Sequence, residues 1–339
     1  MKLTIAIPSY NRPETLIRLL KSIDFKNESN DVLIDILIHE DNSPRRVEIR
    51  SAVMSFIAAS SFPIKYYENQ INMGYDANLW TLVDKSTGDF ILFMGDDDEF
   101  VPGSLNLLIS FLKKNNELGY VLKSHYTILK DGSHEIFNYY SGDQFFNPGT
   151  STIVEMFRKS VLISGFCIRR EDLYNYYTTN LNGTLLIQLY FLAIVAMKYK
   201  CAYFSPALTF QRQEGNVPFF GSSENEKGLY SPGEKSIQNS INFSKSFLTV
   251  LSYIDNTLSI KVKDKVVLDM SKYFYPSLSI QRNRGRKAFY KYFRELNKLG
   301  FNTSIYYYVY FIALYIFGKS FCDSIIRNIK RIIRVTPKL

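Results

Sequence analysis

Three consecutive aspartates, Asp96, Asp97 and Asp98, follow Gly95 directly after the apolar run Phe90 to Met94. A short apolar run ahead of a turn reads as a buried strand, so these carboxylates are presented at a strand end rather than spread over a solvated helix face. Carboxylates in an extended turn can divide work on a hard cation: one binds Mg²⁺ or Mn²⁺, and another reaches a sugar hydroxyl or a metal-bound water. Such a cation would grip a diphosphate. Taken alone, the triplet also suits a solvated turn or a helix N-cap.

The elements that must hold this tip are legible upstream of it. Leu3 to Ile7 is a β-branched apolar run that ends at Pro8, a strand; Asn11-Arg12-Pro13 then turns the chain into a helix carrying Leu16, Ile17, Leu19, Leu20 and Ile23 at helical spacing. Val32 to Ile38 is a second strand, running into His39-Glu40-Asp41-Asn42-Ser43-Pro44. Ile64 to Tyr67 is a third, followed by a loop containing Asn69, Asn72 and Gly74 and by a helix over Asp76 to Lys85; the fourth strand, Phe90 to Met94, precedes a helix over Ser104 to Lys114. This alternation predicts an α/β fold, a mostly parallel sheet with helices on both faces. Ligands collect at the carboxyl ends of such strands, so the loops Pro8 to Arg12, Glu40 to Asn42 and Asp96 to Asp98 converge on one crevice.

From Tyr120 the pattern changes to strands over Tyr120 to Leu129 and Gly165 to Arg169, an acceptor-facing half. Phe210 to Gly233 is rich in Gly, Pro, Ser and Glu and reads as a loop or linker. The domain boundary is placed within it, giving a nucleotide-binding domain over 1–215 and a helical region over 216–339. Helices are expected near Ile237 to Ile254, Lys265 to Tyr273, Lys287 to Leu299 and from Ser304 onward.

With these motifs in this order, Ile5-Ala6-Ile7-Pro8-Ser9-Tyr10-Asn11-Arg12, Glu40-Asp41-Asn42-Ser43, Asn69 with Asn72 and Gly74, and Gly88-Asp89-Phe90 leading into Gly95-Asp96-Asp97-Asp98, the sequence resembles inverting glycosyltransferases of family 2. Within that family it is most similar to O-antigen sugar transferases of the abequosyltransferase type. The resemblance covers residues 2 to 115 closely and 116 to 215 loosely. It implies the GT-A fold, Rossmann-like and nucleotide-sugar-binding, and a catalyst that moves a sugar from a nucleotide-sugar donor to a polyprenyl-diphosphate-linked glycan with inversion. Pro8, Tyr10 and Arg12 would then line the nucleotide pocket, with Tyr10 packing on the base and Asp41 accepting from the base edge. Asp96 would contact the ribose or donor sugar and bind, with Asp98, a Mg²⁺ or Mn²⁺ ion; Asn72 would belong to the same pocket. Read without the resemblance, Pro8 and Tyr10 also close a strand, Asp41 suits an Asx-turn and Asn72 with Gly74 a plain turn.

Inversion needs a base that takes the acceptor hydroxyl's proton from the face opposite the leaving group. The family's acidic pair ahead of an apolar helix is missing here, because the matching stretch Leu181 to Leu189 contains no carboxylate. Asp143 in a Gly-Asp-Gln loop and Asp172, beside Glu171, are the candidates, Asp172 also suiting a helix cap. His125, in mid-strand, reads as structural. Arg212, in the loop segment, is placed to swing onto the diphosphate.

Composition bounds the rest. Of 339 residues, 46% are hydrophobic and 22% charged, as in ordinary globular proteins, which excludes disordered, collagen-like and disulfide-rich classes. Cys167, Cys201 and Cys322 are scattered and odd in number, suiting a reducing compartment, and the apolar N-terminal stretch is too short for a signal peptide. The formal charge of +9 points to a polyanionic partner. Much of the excess is C-terminal, in Arg282, Arg284, Arg286, Lys287, Lys291, Arg294 and Lys298, and again in Lys319, Arg327, Lys330, Arg331, Arg334 and Lys338. Between these clusters Ile305 to Phe317 is an uncharged run of 13 residues, short of the ~20 that span a bilayer. A basic amphipathic helix lying on anionic lipid fits better, which places the protein at the cytoplasmic face of the cell membrane. Nucleic acid is not an expected partner, since it does not explain an acidic crevice. Two rivals share the crevice: a nucleotidyltransferase-like α/β enzyme and a non-catalytic, membrane-associated scaffold.

Overall fold

A computed structural model describes residues 1–25, 32–60, 62–129, 132–212, 219–234 and 236–333, with side chains 327 and 330–333 outside the description. Arg327, Lys330, Arg331, Arg334 and Lys338 of the basic tail therefore lie outside the described side chains. The chain divides into two compact units, Met1–Gly233 and Glu234–Leu339.

The first unit opens with β1 (Lys2–Ser9), α1 (Pro13–Lys21), β2 (Leu33–Glu40), α2 (Arg46–Ala59), β3 (Ile64–Glu68), α3 (Tyr75–Lys85) and β4 (Phe90–Phe93). It continues with β5 (Glu99–Phe100), α4 (Ser104–Lys114), β6 (Leu118–Ile128), β7 (His134–Phe137), β8 (Gln144–Phe146), α5 (Thr150–Met156), β9 (Phe166–Arg169), α6 (Ile187–Lys198) and β10 (Lys200–Arg212). One sheet holds all ten strands, in the order β3-β2-β1-β4-β9-β6-β10-β5, with β7 on β6 and β8 on β10. Strands β1 to β4 are parallel, as the alternation of strand and helix requires. Beyond β4 the sheet is mixed: β9 runs antiparallel to both β4 and β6, while β10 is parallel to β6.

That insertion of β9 matters for the site. Its start lies beside the end of β4, with Phe166 opposite Phe93, and its end lies beside the start of β4, with Arg169 opposite Phe90. Chain that precedes β9 is thus delivered to the crevice, and chain that follows it to the opposite rim. The core beneath is the expected one: Leu16, Leu19 and Leu20 of α1 pack with Ile5, Ile7, Ile36, Ile38 and Leu92 of the sheet. Each is essentially without solvent contact, burial on the order of 1.5–3 kcal/mol per side chain.

The first unit extends past 215, to Gly233, because residues 219–233 fold back onto it. Glu226 accepts hydrogen bonds from the Tyr75 and Gly221 N–H groups (2.8 Å each), and Asn225 Nδ2 donates to the Met73 carbonyl (2.8 Å).

The second unit is helical: α7 (Ile237–Leu258), α8 (Lys263–Ser271), α9 (Tyr275–Asn283), α10 (Arg286–Lys298) and α11 (Ile305–Ile333). Helix α9 has no counterpart in the sequence reading. Helix α11 is broken at Gly318, whose φ of 78° is left-handed. Its stretch Ile305–Ile326 is long and apolar enough, by length and composition, to cross a membrane. It outruns the uncharged 13 residues because Lys319 and Asp323 compensate each other, Asp323 also accepting from Tyr275 Oη (2.6 Å). One face is held inside the unit: Tyr307 Oη donates to the Phe293 carbonyl (3.1 Å), Tyr310 Oη to Lys272 (2.8 Å), and Leu314 is fully buried. Ile305, Val309, Ile312, Ile316, Phe317 and Phe321 on another face are exposed.

Candidate active site

Three strand ends build the crevice. After β1, Tyr10 N–H donates to Asp96 Oδ2 (3.0 Å), and Arg12 Nη1 pairs with Asp96 Oδ1 (2.9 Å) and with Asp97 Oδ2 (3.1 Å). The first motif therefore grips the fourth across 84 residues of chain, which is possible because β1 and β4 are adjacent and parallel. Burial raises the Asp96 carboxyl above its usual range against the pull of Arg12, and Asp97 pushes in the same direction as burial. Tyr10 presents its ring 5.6 Å from that of Phe219, and its hydroxyl accepts from Asn72 Nδ2 (3.2 Å). Pro8 sits within β1, level with His39 of β2.

Asp98 is 4% exposed. It takes hydrogen bonds from the Ser164 hydroxyl and the Arg212 N–H, with the Lys123 ammonium nearby; burial and the Asp97 charge raise its pKa nonetheless. Ser164 Oγ in turn accepts from Gly95 N–H (3.1 Å). A side chain on Gly95 would meet Ser164 Oγ at 3.0 Å and Asp97 at 3.1 Å, so the tip is closed tightly. Ser164 and Lys123 had no motif to announce them, and what brings them here is the antiparallel entry of β9.

Asp41 is buried and acts on its own chain. Its carboxylate accepts from Asn69 Nδ2 (2.7 Å) and from the N–H groups of Met73 (2.8 Å) and Gly74 (2.9 Å), fixing the β3–α3 loop; burial still pushes its pKa up to about 6. Gly74, at φ 85°, has no room for a Cβ, which would fall 2.5 Å from Ser223 Oγ. Near Asp41 two buried oxygens have no hydrogen-bond partner among the described residues, Ser9 Oγ and Asn11 Oδ1, while the Ser43 hydroxyl is bonded to the Glu40 carboxylate. Leaving such groups unmade costs about 1–3 kcal/mol each, so a polar ligand with donors of its own has places waiting.

Asp172 and Asp143 are not brought to this crevice, whereas Arg212 reaches it through its backbone N–H. Asp172 lies after β9, at the opposite rim, where Lys198 and Tyr199 hold its carboxylate and lower its pKa against the effect of burial. Glu171 shares that rim. Asp143 is exposed in the β7–β8 connection, with Oδ1 accepting from Ser205 N–H (2.8 Å) and Oγ (2.7 Å), and no contact joins it to the acidic tip. Arg212 ends β10 rather than opening a loop, and its Nε donates to Glu99 Oε1 (2.7 Å), which also pairs with Arg18 (2.8 Å); Gln213 and Glu214 beyond it lie outside the described residues. The stretch Leu181 to Leu189, which lacks the family's acid, is nonetheless met by one from elsewhere. Asp76 of α3 accepts from Leu185 N–H (2.8 Å) and Ile187 N–H (3.0 Å) at the start of α6, and burial pushes it up to about 7.

The donor set at the tip suits a divalent ion held jointly with phosphate. Among the described residues no three His, Cys, Asp or Glu side chains converge as a cage, but Mg²⁺ is commonly bound by one or two carboxylates completed by substrate phosphates and water. Asp98 and Asp96 are hard oxygen donors of that kind.

Comparison with known proteins bears on the family and the fold. Residues 4–176 match the model of Glycosyl transferase family 2. Among curated relatives, a GalNAc(5)-diNAcBac-PP-undecaprenol beta-1,3-glucosyltransferase of Campylobacter jejuni is 32% identical over 120 residues, 34% of this chain and 35% of that protein. The abequosyltransferase RfbV of Salmonella typhimurium is 31% identical over 118 residues, 35% of this chain and 34% of that one. The matched stretch thus spans about a third of the length of these relatives. Among solved structures, TarS 1-349 of S. aureus in complex with UDP-GlcNAc superposes with a TM-score of 0.52 at 12% identity, over 96% of this chain and 92% of that one. The mannosyltransferase PcManGT of Pyrobaculum calidifontis, in complex with GDP-Man and Mn²⁺, gives 0.50 at 13% identity, over 93% and 86%. The GT-A fold is common ground, and with half of its length matched by the family model this chain belongs to glycosyl transferase family 2.

Proposed function

We propose that this chain transfers one sugar, with inversion, from a nucleotide-sugar donor to a lipid-linked oligosaccharide during assembly of a bacterial surface polysaccharide. The observation that carries the reading is the buried acidic tip, Asp96 and Asp98, gripped by Tyr10 and Arg12 from the neighbouring strand end. The lipid-linked acceptor is supported by the Campylobacter relative, a GalNAc(5)-diNAcBac-PP-undecaprenol beta-1,3-glucosyltransferase. The nucleotide lies over the ends of β1 and β2, where Tyr10 offers a ring and the unpartnered Ser9 and Asn11 oxygens accept hydroxyl or base N–H groups. Asp41 sets the floor of that pocket through the β3–α3 loop. Asp98, with Asp96, is the seat for Mg²⁺ or Mn²⁺, which when bound supplies Lewis-acid neutralisation of the departing diphosphate. Arg12 holds Asp96 ionised and oriented, and Ser164 orients Asp98.

A thermal-shift screen of nucleoside diphosphates, with and without Mn²⁺, tests the binding half of this reading, since a ligand that binds only the folded state raises its melting temperature. At least one nucleoside diphosphate is expected to do so in an Mn²⁺-dependent manner; a flat screen, with nucleoside triphosphates acting instead, supports the nucleotidyltransferase. The anomeric configuration of the product, read by NMR, tests inversion.

We propose further that the exposed apolar face of α11 rests on anionic lipid at the cytoplasmic membrane face, flanked by its cations. Deletion of residues 304 to 339 is a poor test, because Tyr307, Tyr310 and Leu314 belong to the unit's own core. Ile316→Ser with Phe321→Ser alters only exposed positions. Release of that double variant from anionic vesicles, with melting temperature retained, is expected; unchanged binding overturns the membrane assignment.

A further inference from the structure

Lys123 and His125 are two residues apart on β6, so their side chains leave the strand on the same face. Register puts them at the crevice rim. Leu92 of β4 is opposite Cys167 of β9, which is opposite Val121 of β6, so two residues further along Lys123 is level with Met94, just before the acidic tip. Two inter-strand steps separate β6 from β4, roughly 10 Å. That displacement is away from β1 and β2 and toward the side where the sugar end of a donor, and its acceptor, must meet.

Both side chains are buried and short of partners. Lys123 is 5% exposed, and Nζ makes one hydrogen bond, to Thr209 Oγ1 (3.0 Å). No carboxylate stands within ion-pair distance of it among the described residues, although the field of Asp98 reaches it. His125 is 7% exposed and stacks on Phe137 at 4.9 Å, and neither ring nitrogen has a hydrogen-bond partner among the described residues. Both line one narrow cleft, open to solvent, with room inside for about one water-sized group, walled by Tyr120, Tyr139 and Phe166. The third basic group on that wall, Lys159, is already neutralised by Glu155 and bonded to Tyr140 Oη (2.9 Å). The position is built for Lys123: a Cβ on Gly165 would meet its Cε at 2.8 Å. Asp98 faces this buried ammonium only from beyond ion-pair distance, and a buried charge is costly unless it is paired.

We infer that this cleft is a subsite for an anionic oxygen group, a carboxylate or phosphate, carried by a sugar of the donor or acceptor, with Lys123 supplying the charge and His125 a directional hydrogen bond. The narrowness admits an oxygen of the substituent and leaves the sugar ring outside. The inference rests on the glycosyltransferase reading and names a substrate class for it: an acidic sugar rather than a neutral one.

The test is a calorimetric titration of the full chain with methyl β-glucuronoside, against methyl β-glucoside as the neutral control, in the presence of a saturating nucleoside diphosphate that raises the melting temperature. The acid is expected to bind at least tenfold more tightly than the neutral probe. Lys123→Met is expected to erase that preference, and His125→Phe, which keeps the stack on Phe137, to reduce it severalfold. Should Lys123→Met fail to fold, His125→Phe alone decides. Equal affinity for the two probes, an undiminished preference in His125→Phe, or displacement of the acid by the nucleoside diphosphate overturns the subsite, the last because the diphosphate is then its occupant. Absence of any nucleoside diphosphate binding instead counts against the function itself, so the two failures are distinguishable.

Discussion

The two halves of the first unit solve the same problem in opposite ways. Where β1 to β4 end, acids are answered by their own chain: Asp96 by Arg12 and Tyr10 N–H, Asp41 by three donors. Where β6 and β9 meet, a lysine and a histidine are left incompletely answered. The first half is a preorganised seat that a ligand joins, and the second is a seat that a ligand completes. Electrostatic preorganisation of the first kind supplies rate, because no groups must reorganise when charge develops. Incomplete satisfaction of the second kind supplies selectivity, because a substrate without the matching group leaves buried polar atoms unpaired.

The largest expected effect breaks the comparison at its strongest point. Asp98→Asn keeps an oxygen to accept from Ser164 and Arg212 N–H but removes the charge, and transfer is expected to fall by about 10²–10³-fold, the scale seen when one preorganised electrostatic group is lost. The melting temperature should hold, since burial already disfavours the ionised form at this position. Retained transfer with an intact fold would mean that the acidic tip is a scaffold.

Next comes a carboxylate whose work is structural. Leu185 has a left-handed φ of 62°, unusual for a leucine, and Asp76 holds the N–H groups on either side of that strain, at Leu185 and Ile187. Asp76→Ala strands both donors in the interior and is expected to cost about 2–6 kcal/mol in urea unfolding, at roughly 1–3 per unmade bond. Its pH dependence has a definite sign. The carboxyl is raised from its ordinary 3.8 to about 7, so between those values the native state holds a proton that the unfolded state has lost. Ionising Asp76 therefore weakens the fold as pH rises through that window. Asp76→Asn cannot ionise, and its stability relative to the native sequence should climb from pH 4.5 to pH 7.5. A flat difference would show that Asp76 is ionised at no cost.

How much of this was legible follows from the same contrast. The nucleotide half is written in contiguous strings at strand ends, Pro8 to Arg12 and Gly95 to Asp98, and a parallel sheet collects strand ends automatically. The elements expected there agree with the observed ones within two residues, as with the helix over Ser104–Lys114, but α2 had no counterpart in the sequence reading. The second half is written in alternate positions of a single strand: His125 reads as structural, and nothing marks Lys123 until β9 is known to enter antiparallel and bring Ser164 and Gly165 alongside. That same reversal carries Asp172 to the far rim, which no local pattern reveals. Helix α9 went unread because Lys272 to Gly285 mixes serine, proline and arginine without clean apolar spacing, so its burial of Leu278 and Tyr275 is a tertiary effect.

The smallest effect sharpens the comparison rather than breaking it. Gly165 has φ 83°, and an added Cβ would press on Lys123 Cε at 2.8 Å. Gly165→Ala therefore meets two costs, left-handed backbone and displacement of a buried side chain, together about 1–3 kcal/mol. The second cost falls where the acid-binding cleft is, while the Asp96 contacts with Tyr10 and Arg12 lie two strands away. The variant should melt a few degrees lower, keep its affinity for a nucleoside diphosphate, and lose most of its preference for the acidic over the neutral methyl glycoside. A parallel loss of both affinities would mean that the two seats are one, with Lys123 serving the diphosphate through Asp98; loss of neither would mean that the lysine's position is immaterial to binding.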